Sequence, residues 1–461
     1  MSYQLYKRNR MLVINNNFKL VKIDTGYLLV DISEKRYGKD KEILMLNSSG
    51  AHIYELLQEY SPSEVINILF NEEDNSFSRD AIQENVYSIV EILVENGVFT
   101  GESPQLASTI TIDKVSFGPI KSKLGAKRQP LVGIVEMTPK CNCNCPHCYV
   151  KGLSGNNWLT TEQYIEIAEI LHQKGIINVT LTGGEPFSHP DFKNIYIEFK
   201  KKGFLIDIFS NALLIDEDMA NFLEANPPRS IDITLYGLSD EEYYKFTGVQ
   251  NGFTKLCKAL NLLKERDVVF TTKMILHKGN YNRLLDYNNF ALQYNAPFRY
   301  NVVIGRGNNT IKDPNGITLS NEEILAIESQ DPLRKAIFSM LANDCTCLPG
   351  DCNEQNWSQY PCGAGLDKVF IGYDGKMSPC MTLRNKGLDL FSLGYDAIWE
   401  HWGNMRKETI SQDFKCKSCE YLPICTPCTE EFEQENGDKN IPIESRCELA
   451  KMRWEKLINR K

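Results

Sequence analysis

Fourteen of the 15 cysteines in this 461-residue chain fall in two stretches, residues 141–148 and 345–447, and only Cys257 stands alone. In a chain this large, such crowding points to metal ligation or redox chemistry, because disulfide frameworks belong to small secreted domains. The N-terminus carries Lys7, Arg8 and Arg10 with no apolar stretch behind them, which does not read as a secretory signal. No apolar run reaches the roughly 18–20 residues that cross a bilayer. The expectation is a cytoplasmic protein with no membrane partner. A net charge of −9 disfavours a nucleic-acid partner.

Residues 1–105 contain no cysteine and read as a small winged-helix-like α+β domain of three strands and three helices. The strands lie between Phe18 and Met45. One helix is near Gly50–Tyr60, a second opens on the capping box Ser61-Pro62-Ser63-Glu64, and a third carries Ile82, Val86, Ile89, Val90 and Leu93 and stops at Gly97. Residues 106–129 read as a linker. Residues 130–310 alternate strand and helix, with strands expected at Leu131–Met137, Asn178–Leu181, Leu205–Phe209, Ser230–Leu235, Val268–Leu276 and Phe298–Ile304. Six βα units with right-handed crossovers make a partial barrel, whose ligands belong at the C-terminal ends of the strands. A helix opening on Ser320 is expected to run through the bridging region, residues 311–344. Residues 345–461 show little periodicity and hold ten cysteines, so they are expected to depend on metal sites rather than on an apolar core.

Cys141, Cys145 and Cys148 form C-x3-C-x2-C directly after the first barrel strand. Three thiolates hold three irons of a cubic [4Fe–4S] cluster and leave the fourth open to an exogenous ligand. A zinc site with Cys143 as its fourth ligand is the alternative on spacing alone.

With Thr182-Gly183-Gly184-Glu185-Pro186 after the second strand, the pattern resembles the radical S-adenosylmethionine superfamily. The resemblance implies that Cys141, Cys145 and Cys148 hold the cluster that cleaves the cofactor. It also implies that Tyr149, Gly183, Gly184 and Glu185 bind S-adenosylmethionine, together with Ser210-Asn211 at the third strand and Thr234 at the fourth. Lys273 in the fifth strand is expected at the cofactor carboxylate, and Arg306 after the sixth on the adenosine side. Thr247-Gly248 stands where many relatives have Arg-Gly.

Cys362, Cys380, then Cys416-x2-Cys419-x5-Cys425-x2-Cys428 and Cys447 resemble the seven-cysteine SPASM domain. Paired C-x2-C units taken alone suit zinc equally. The resemblance implies two auxiliary [4Fe–4S] clusters, one on Cys362, Cys380 and Cys428 with Cys352 as candidate fourth ligand, the other on Cys416, Cys419, Cys425 and Cys447. The final x2 gap is similar to that of sactipeptide and ranthipeptide maturases. The N-terminal domain resembles the PqqD-like domain, which takes a precursor-peptide leader as an added strand. A DNA-binding winged helix is disfavoured by Glu84, Glu91 and Glu95 on the third helix.

Together these resemblances imply a radical enzyme with three [4Fe–4S] clusters. It would be fed by flavodoxin or ferredoxin, and would use a 5′-deoxyadenosyl radical to join a cysteine sulfur to a carbon of a ribosomally made precursor peptide. A carbon–carbon crosslink or epimerisation by the same cofactors is the second reading. A non-catalytic iron–sulfur peptide carrier is the third.

Overall fold

The computed structural model describes residues 13–14, 18–23, 26–31, 43–71, 78–100, 114–115, 125, 127–148, 150, 158–304, 316–343, 362–407, 413–425 and 427–458. They fall into two compact units, Met1–Ile120 and Lys121–Lys461.

The first unit is α+β. Strands β2 (Phe18–Ile23), β3 (Gly26–Asp31), β4 (Ile43–Leu46) and β6 (Lys114–Val115) form an antiparallel sheet in that order, and β1 (Val13–Ile14) pairs with β5 (Phe99–Thr100). Three strands were expected here. The additional ones are two residues long, too short to show any period, and β6 lies inside the stretch read as linker. Leu28, Leu29 and Val30 are buried in β3. Against the sheet packs a cluster drawn from helices Ser48–Leu57, Pro62–Phe70 and Arg79–Glu95, including Tyr54, Val65, Val86 and Leu93. Helix starts follow the side-chain chemistry. Asn47 accepts from the Gly50 amide, and Ser61 and Glu64 close a reciprocal box ahead of Pro62. Gly97, at φ +72°, follows the third helix in the left-handed region where glycine is favoured.

In the second unit, strands β7 (Val132–Glu136), β8 (Asn178–Thr182), β9 (Leu205–Ser210), β10 (Ser230–Thr234), β11 (Phe270–Ile275) and β12 (Phe298–Asn301) lie parallel, each beside its sequence neighbour. Helices Thr161–Gln173, Phe192–Lys201, Glu217–Ala225, Asp240–Thr247, Gly252–Glu265 and Leu284–Gln293 fill the crossovers. The strands alternate as the pleat requires. In β10, Ile231 and Ile233 join the apolar core, while Asp232 and Thr234 face a cavity.

The C-terminal stretch departs from its sequence reading. Strand β13 (Lys368–Ile371) pairs in parallel with β7, and β14 (Lys376–Ser378) and β15 (Leu388–Asp389) continue the sheet in antiparallel fashion. Val369, Ile371, Met377, Ile398 and Trp402 are buried in the same core as the barrel strands. The segment therefore shares the barrel's core instead of building one. Its apolar run, residues 369–371, is too short to register as a pattern by itself. The bridging region also differs. It forms two helices, Asn321–Glu328 and Pro332–Asn343, because Pro332 cannot continue the first and opens the second. Among the described residues no helix is long and apolar enough to cross a membrane.

Candidate functional site

The C-terminal ends of the parallel strands open on a cavity of about 740 Å³. Cys141, Cys143, Cys145 and Cys148 line it, together with Gly183, Gly184, Ser210, Asn211, Thr234 and Lys273. The loop that carries the cysteines is tied down by backbone. The Gly184 amide donates to Thr138 O at 2.7 Å and the Glu185 amide to Lys140 O at 2.8 Å. A Cβ on Gly184 would stand 2.1 Å from Lys140 O, and one on Gly183, whose φ is +133°, 2.5 Å from Thr138 O. Two glycines are therefore needed where the second strand's loop crosses under the cysteine loop.

Glu185 is fully buried. Its Oε1 accepts from Ser210 Oγ at 2.7 Å and from the Phe187 amide at 3.3 Å, and its Oε2 accepts from the Asn211 amide at 2.8 Å. Burial pushes its carboxyl up to about 8 against these hydrogen bonds. The expected group at such a carboxyl is a cation. Between about pH 4.5 and pH 8 the folded chain holds a proton here that the unfolded chain has released. This contribution to stability is complete below pH 4.5 and is lost as the pH rises through 8. The unfolding free energy from urea denaturation across that range should fall more steeply with pH for the wild type than for Glu185→Gln, by about 1.4 kcal/mol per pH unit. Parallel pH profiles would show that Glu185 does not titrate there.

Asn211 reaches the cysteine loop directly, donating from Nδ2 to Asn142 Oδ1 at 2.7 Å and lying 3.7 Å from Cys141 Sγ. A hydrogen bond from the Cys143 thiol, with lesser ones from Asn211 and backbone, draws the Cys141 thiol down to about 7. Deprotonated thiol is the form that binds metal. His147 packs against Tyr236 and Phe246, with ring centroids at 6.3 and 5.2 Å, and burial pushes it down to about 4. Thr247 does not line the cavity. Its hydroxyl donates to Tyr243 O at 2.6 Å, and its own carbonyl accepts from the Asn144 amide at 2.8 Å.

Lys273 stands on the cavity wall with its ammonium 3.4 Å from the Phe209 ring centroid and 3.9 Å from Asp232. Burial pushes it down to about 8, with Asp232 acting the other way. Asp232 also accepts from Arg299 at 2.6 Å and from Thr271. Sequence reasoning passed over Asp232 and Arg299. The alternation of β10 and the parallel register of β11 and β12 bring them together, and no local motif marks them.

A second feature not foreseen is the buried pair of Glu136, at the end of β7, and Arg384, after Cys380. Arg384 also lies over the rings of Phe370 and Tyr373, at 5.4 and 5.9 Å, and lines the cavity.

The C-terminal thiols fall into two sets by their mutual electrostatics. The Cys428 thiol is pushed up to about 12 by burial first, with Cys362 and Cys380 among the lesser causes. Cys416 is pushed up to about 12 by burial and by Cys425, Cys447 and Cys419. Thiols gathered out of water oppose one another's ionisation, a cost that bound metal relieves. Among the described residues no three ligand side chains converge as on a single ion. Thiolates on a cluster bind different irons and so stand further apart than ligands of one ion. The residues present are soft thiol donors, the kind of set that holds an iron–sulfur cluster. Tyr149, Arg306 and Cys352 lie outside the described residues.

The profile described as the radical SAM superfamily matches residues 135–288. The chain is 24% identical over 270 residues to the antilisterial bacteriocin subtilosin biosynthesis protein AlbA of Bacillus subtilis, covering 58% of this chain and 57% of that one. It is 23% identical over 259 residues to the sporulation killing factor maturation protein SkfB of the same organism, covering 54% and 60%. The chain thus spans less than two thirds of the length of either relative. Streptococcus suis SuiB bound to S-adenosylmethionine superposes with a TM-score of 0.60 at 15% identity, over 94% of this chain and 99% of that one, a likeness of fold. The six parallel strands, the three-thiol loop and the buried Glu185 all lie in or beside residues 135–288, the segment that matches the radical SAM superfamily.

Proposed function

We propose that the chain is a radical S-adenosylmethionine maturase that forms thioether crosslinks in a cysteine-containing precursor peptide made by the ribosome. The observation that carries the reading is the single cavity lined by three motif cysteines, the double glycine and the Ser210-Asn211 pair that grips Glu185. Cys141, Cys145 and Cys148 would hold the cleavage cluster. Cys362, Cys380 and Cys428 would hold the first auxiliary cluster, with Cys352 as fourth ligand, and Cys416, Cys419, Cys425 and Cys447 the second. When bound, the cofactor and cluster supply reductive cleavage and hydrogen abstraction, which no side chain can supply.

The chain's own residues bind, orient and shield. Glu185 receives the cofactor's amino group, and Thr234 and Lys273 its carboxylate. Gly183 and Gly184 let backbone approach closely. Tyr149 and Arg306 would complete the cofactor contacts. Tyr236, Phe246 and His147 pack into an aromatic cluster behind the cysteine loop. Net chemistry at the peptide is the loss of one C–H and one S–H hydrogen and the gain of a C–S bond, so an auxiliary cluster is needed to accept an electron. A ferredoxin or flavodoxin would supply the first one.

The N-terminal unit would receive the leader as a PqqD-like domain does. Among the described residues its sheet ends in β2, of six residues, and β6, of two, and a sheet edge is where a guest strand adds. SuiB has been seen bound to its precursor peptide SuiA. A fluorescent precursor peptide should bind the full chain, and removal of its leader should weaken binding at least about tenfold. Equal affinity for the leaderless peptide would remove the recognition role.

The test of the reaction is incubation with reductant, S-adenosylmethionine and a cysteine-containing precursor peptide. The expected products are 5′-deoxyadenosine and a peptide lighter by two hydrogens per bridge, with one free thiol lost for each. An unchanged thiol count with the same mass loss would favour a carbon–carbon crosslink. An unchanged mass with deuterium taken up from solvent would favour epimerisation. No 5′-deoxyadenosine would favour a peptide carrier.

A further inference from the structure

Cys143, at the centre of C-x3-C-x2-C, belongs to no ligand set assigned above. Nevertheless its side chain lines the cavity with the three motif cysteines. Its amide donates to Cys141 Sγ at 3.4 Å, and its side chain is partly buried against the core of the barrel strands. Both flanking residues are pinned, Asn142 by the Asn211 amide group at 2.7 Å and Asn144 by the Thr247 carbonyl at 2.8 Å. Cys143 is thus held inward by its neighbours. A spectator thiol has no need of such anchoring.

Resting on the cluster assignment above, we propose that Cys143 is a fourth thiolate ligand of the cluster on Cys141, Cys145 and Cys148, one that occupies the remaining iron until S-adenosylmethionine displaces it. A ligand on the same short loop acts at high effective concentration and outcompetes water and free thiols. A site closed by four thiolates keeps its metal, as structural four-cysteine sites do, whereas an open position exposes it. On displacement the iron–sulfur bond to Cys143 breaks, the cofactor takes the position, and the thiolate takes one proton from water. No oxidation state changes.

The experiment is oxidation of the anaerobically reconstituted full chain by ferricyanide, followed by electron paramagnetic resonance, in the absence of S-adenosylmethionine. The wild type, Cys143→Ala, Cys143→Ser and the Cys141→Ala/Cys145→Ala/Cys148→Ala variant are compared per iron bound. An open iron is lost on oxidation and leaves a [3Fe–4S] signal. The triple variant gives the background from the auxiliary clusters. The wild type is expected to stay at that background, Cys143→Ala to rise above it, and Cys143→Ser, with its weaker oxygen ligand, to fall between. S-adenosylmethionine should also bind Cys143→Ala about tenfold more tightly than the wild type, because a competing ligand has gone. A wild-type signal equal to that of Cys143→Ala, with equal affinity, overturns the proposal and leaves the cluster assignment intact. Equal iron in the wild type and the triple variant would instead overturn the cluster assignment itself.

Discussion

Gly184→Ala is expected to abolish cofactor cleavage while leaving the chain folded. The added methyl would stand 2.1 Å from Lys140 O, 2.5 Å from Lys140 C and 2.8 Å from Pro139 O. All three are backbone atoms of the loop that enters the cysteine motif, so no flexible side chain can move aside. The loop must shift, and the hydrogen bonds from Gly184 and Glu185 to Thr138 and Lys140 are lost or stretched. Overpacking of this kind costs about 1–3 kcal/mol of stability, which a unit with so large a core can absorb. A displacement near 1 Å at a catalytic constellation costs roughly a hundredfold in rate, and here both the thiols and Glu185 move. Formation of 5′-deoxyadenosine should therefore fall at least about a hundredfold, with circular dichroism unchanged. Near-normal turnover would mean that the loop crossing is not what positions the cofactor.

Arg384→Ala is expected to destabilise the second unit strongly. Glu136 and Arg384 are 0% and 8% exposed, and they join the end of the first barrel strand to the segment after Cys380. Burial already raises the Glu136 carboxyl, with Arg384 as the main opposing influence. Removing one partner of such a pair leaves a buried charge uncompensated, at about 3–5 kcal/mol. The chemical-denaturation midpoint should fall accordingly. The double variant Arg384→Ala/Glu136→Gln should recover much of the loss, because it removes the stranded charge. A fall below about 1 kcal/mol, as for exposed pairs, would contradict the burial of this pair.

The barrel was legible because five of its six strands are five- or six-residue segments with buried apolar positions, separated by helices, and observed strand bounds fall within a few residues of those expected. The capping box at Ser61 and the helix start at Ser320 form as their sequences suggest. The cysteine motif and the double glycine were legible because their chemistry is local. What escaped sequence reasoning is non-local or carried by backbone. Arg384 and Glu136 are 248 residues apart in sequence. Thr247 acts through its carbonyl, which any residue could supply. Strand β13 is apolar over three residues, and only its pairing with β7 reveals it. Asp232, Lys273 and Arg299 sit on three different strands and are neighbours only by register.

The central claim, three [4Fe–4S] clusters with the cleavage cluster on Cys141, Cys145 and Cys148, is tested most directly by anaerobic reconstitution followed by iron, sulfide and zinc analysis. The wild type and the Cys141→Ala/Cys145→Ala/Cys148→Ala variant are compared. About twelve irons with matching sulfide in the wild type and about eight in the variant is the expected result. Zinc in place of iron at the C-terminal cysteines, with no more than about four irons in the wild type, would contradict the auxiliary clusters and with them the proposed electron sink.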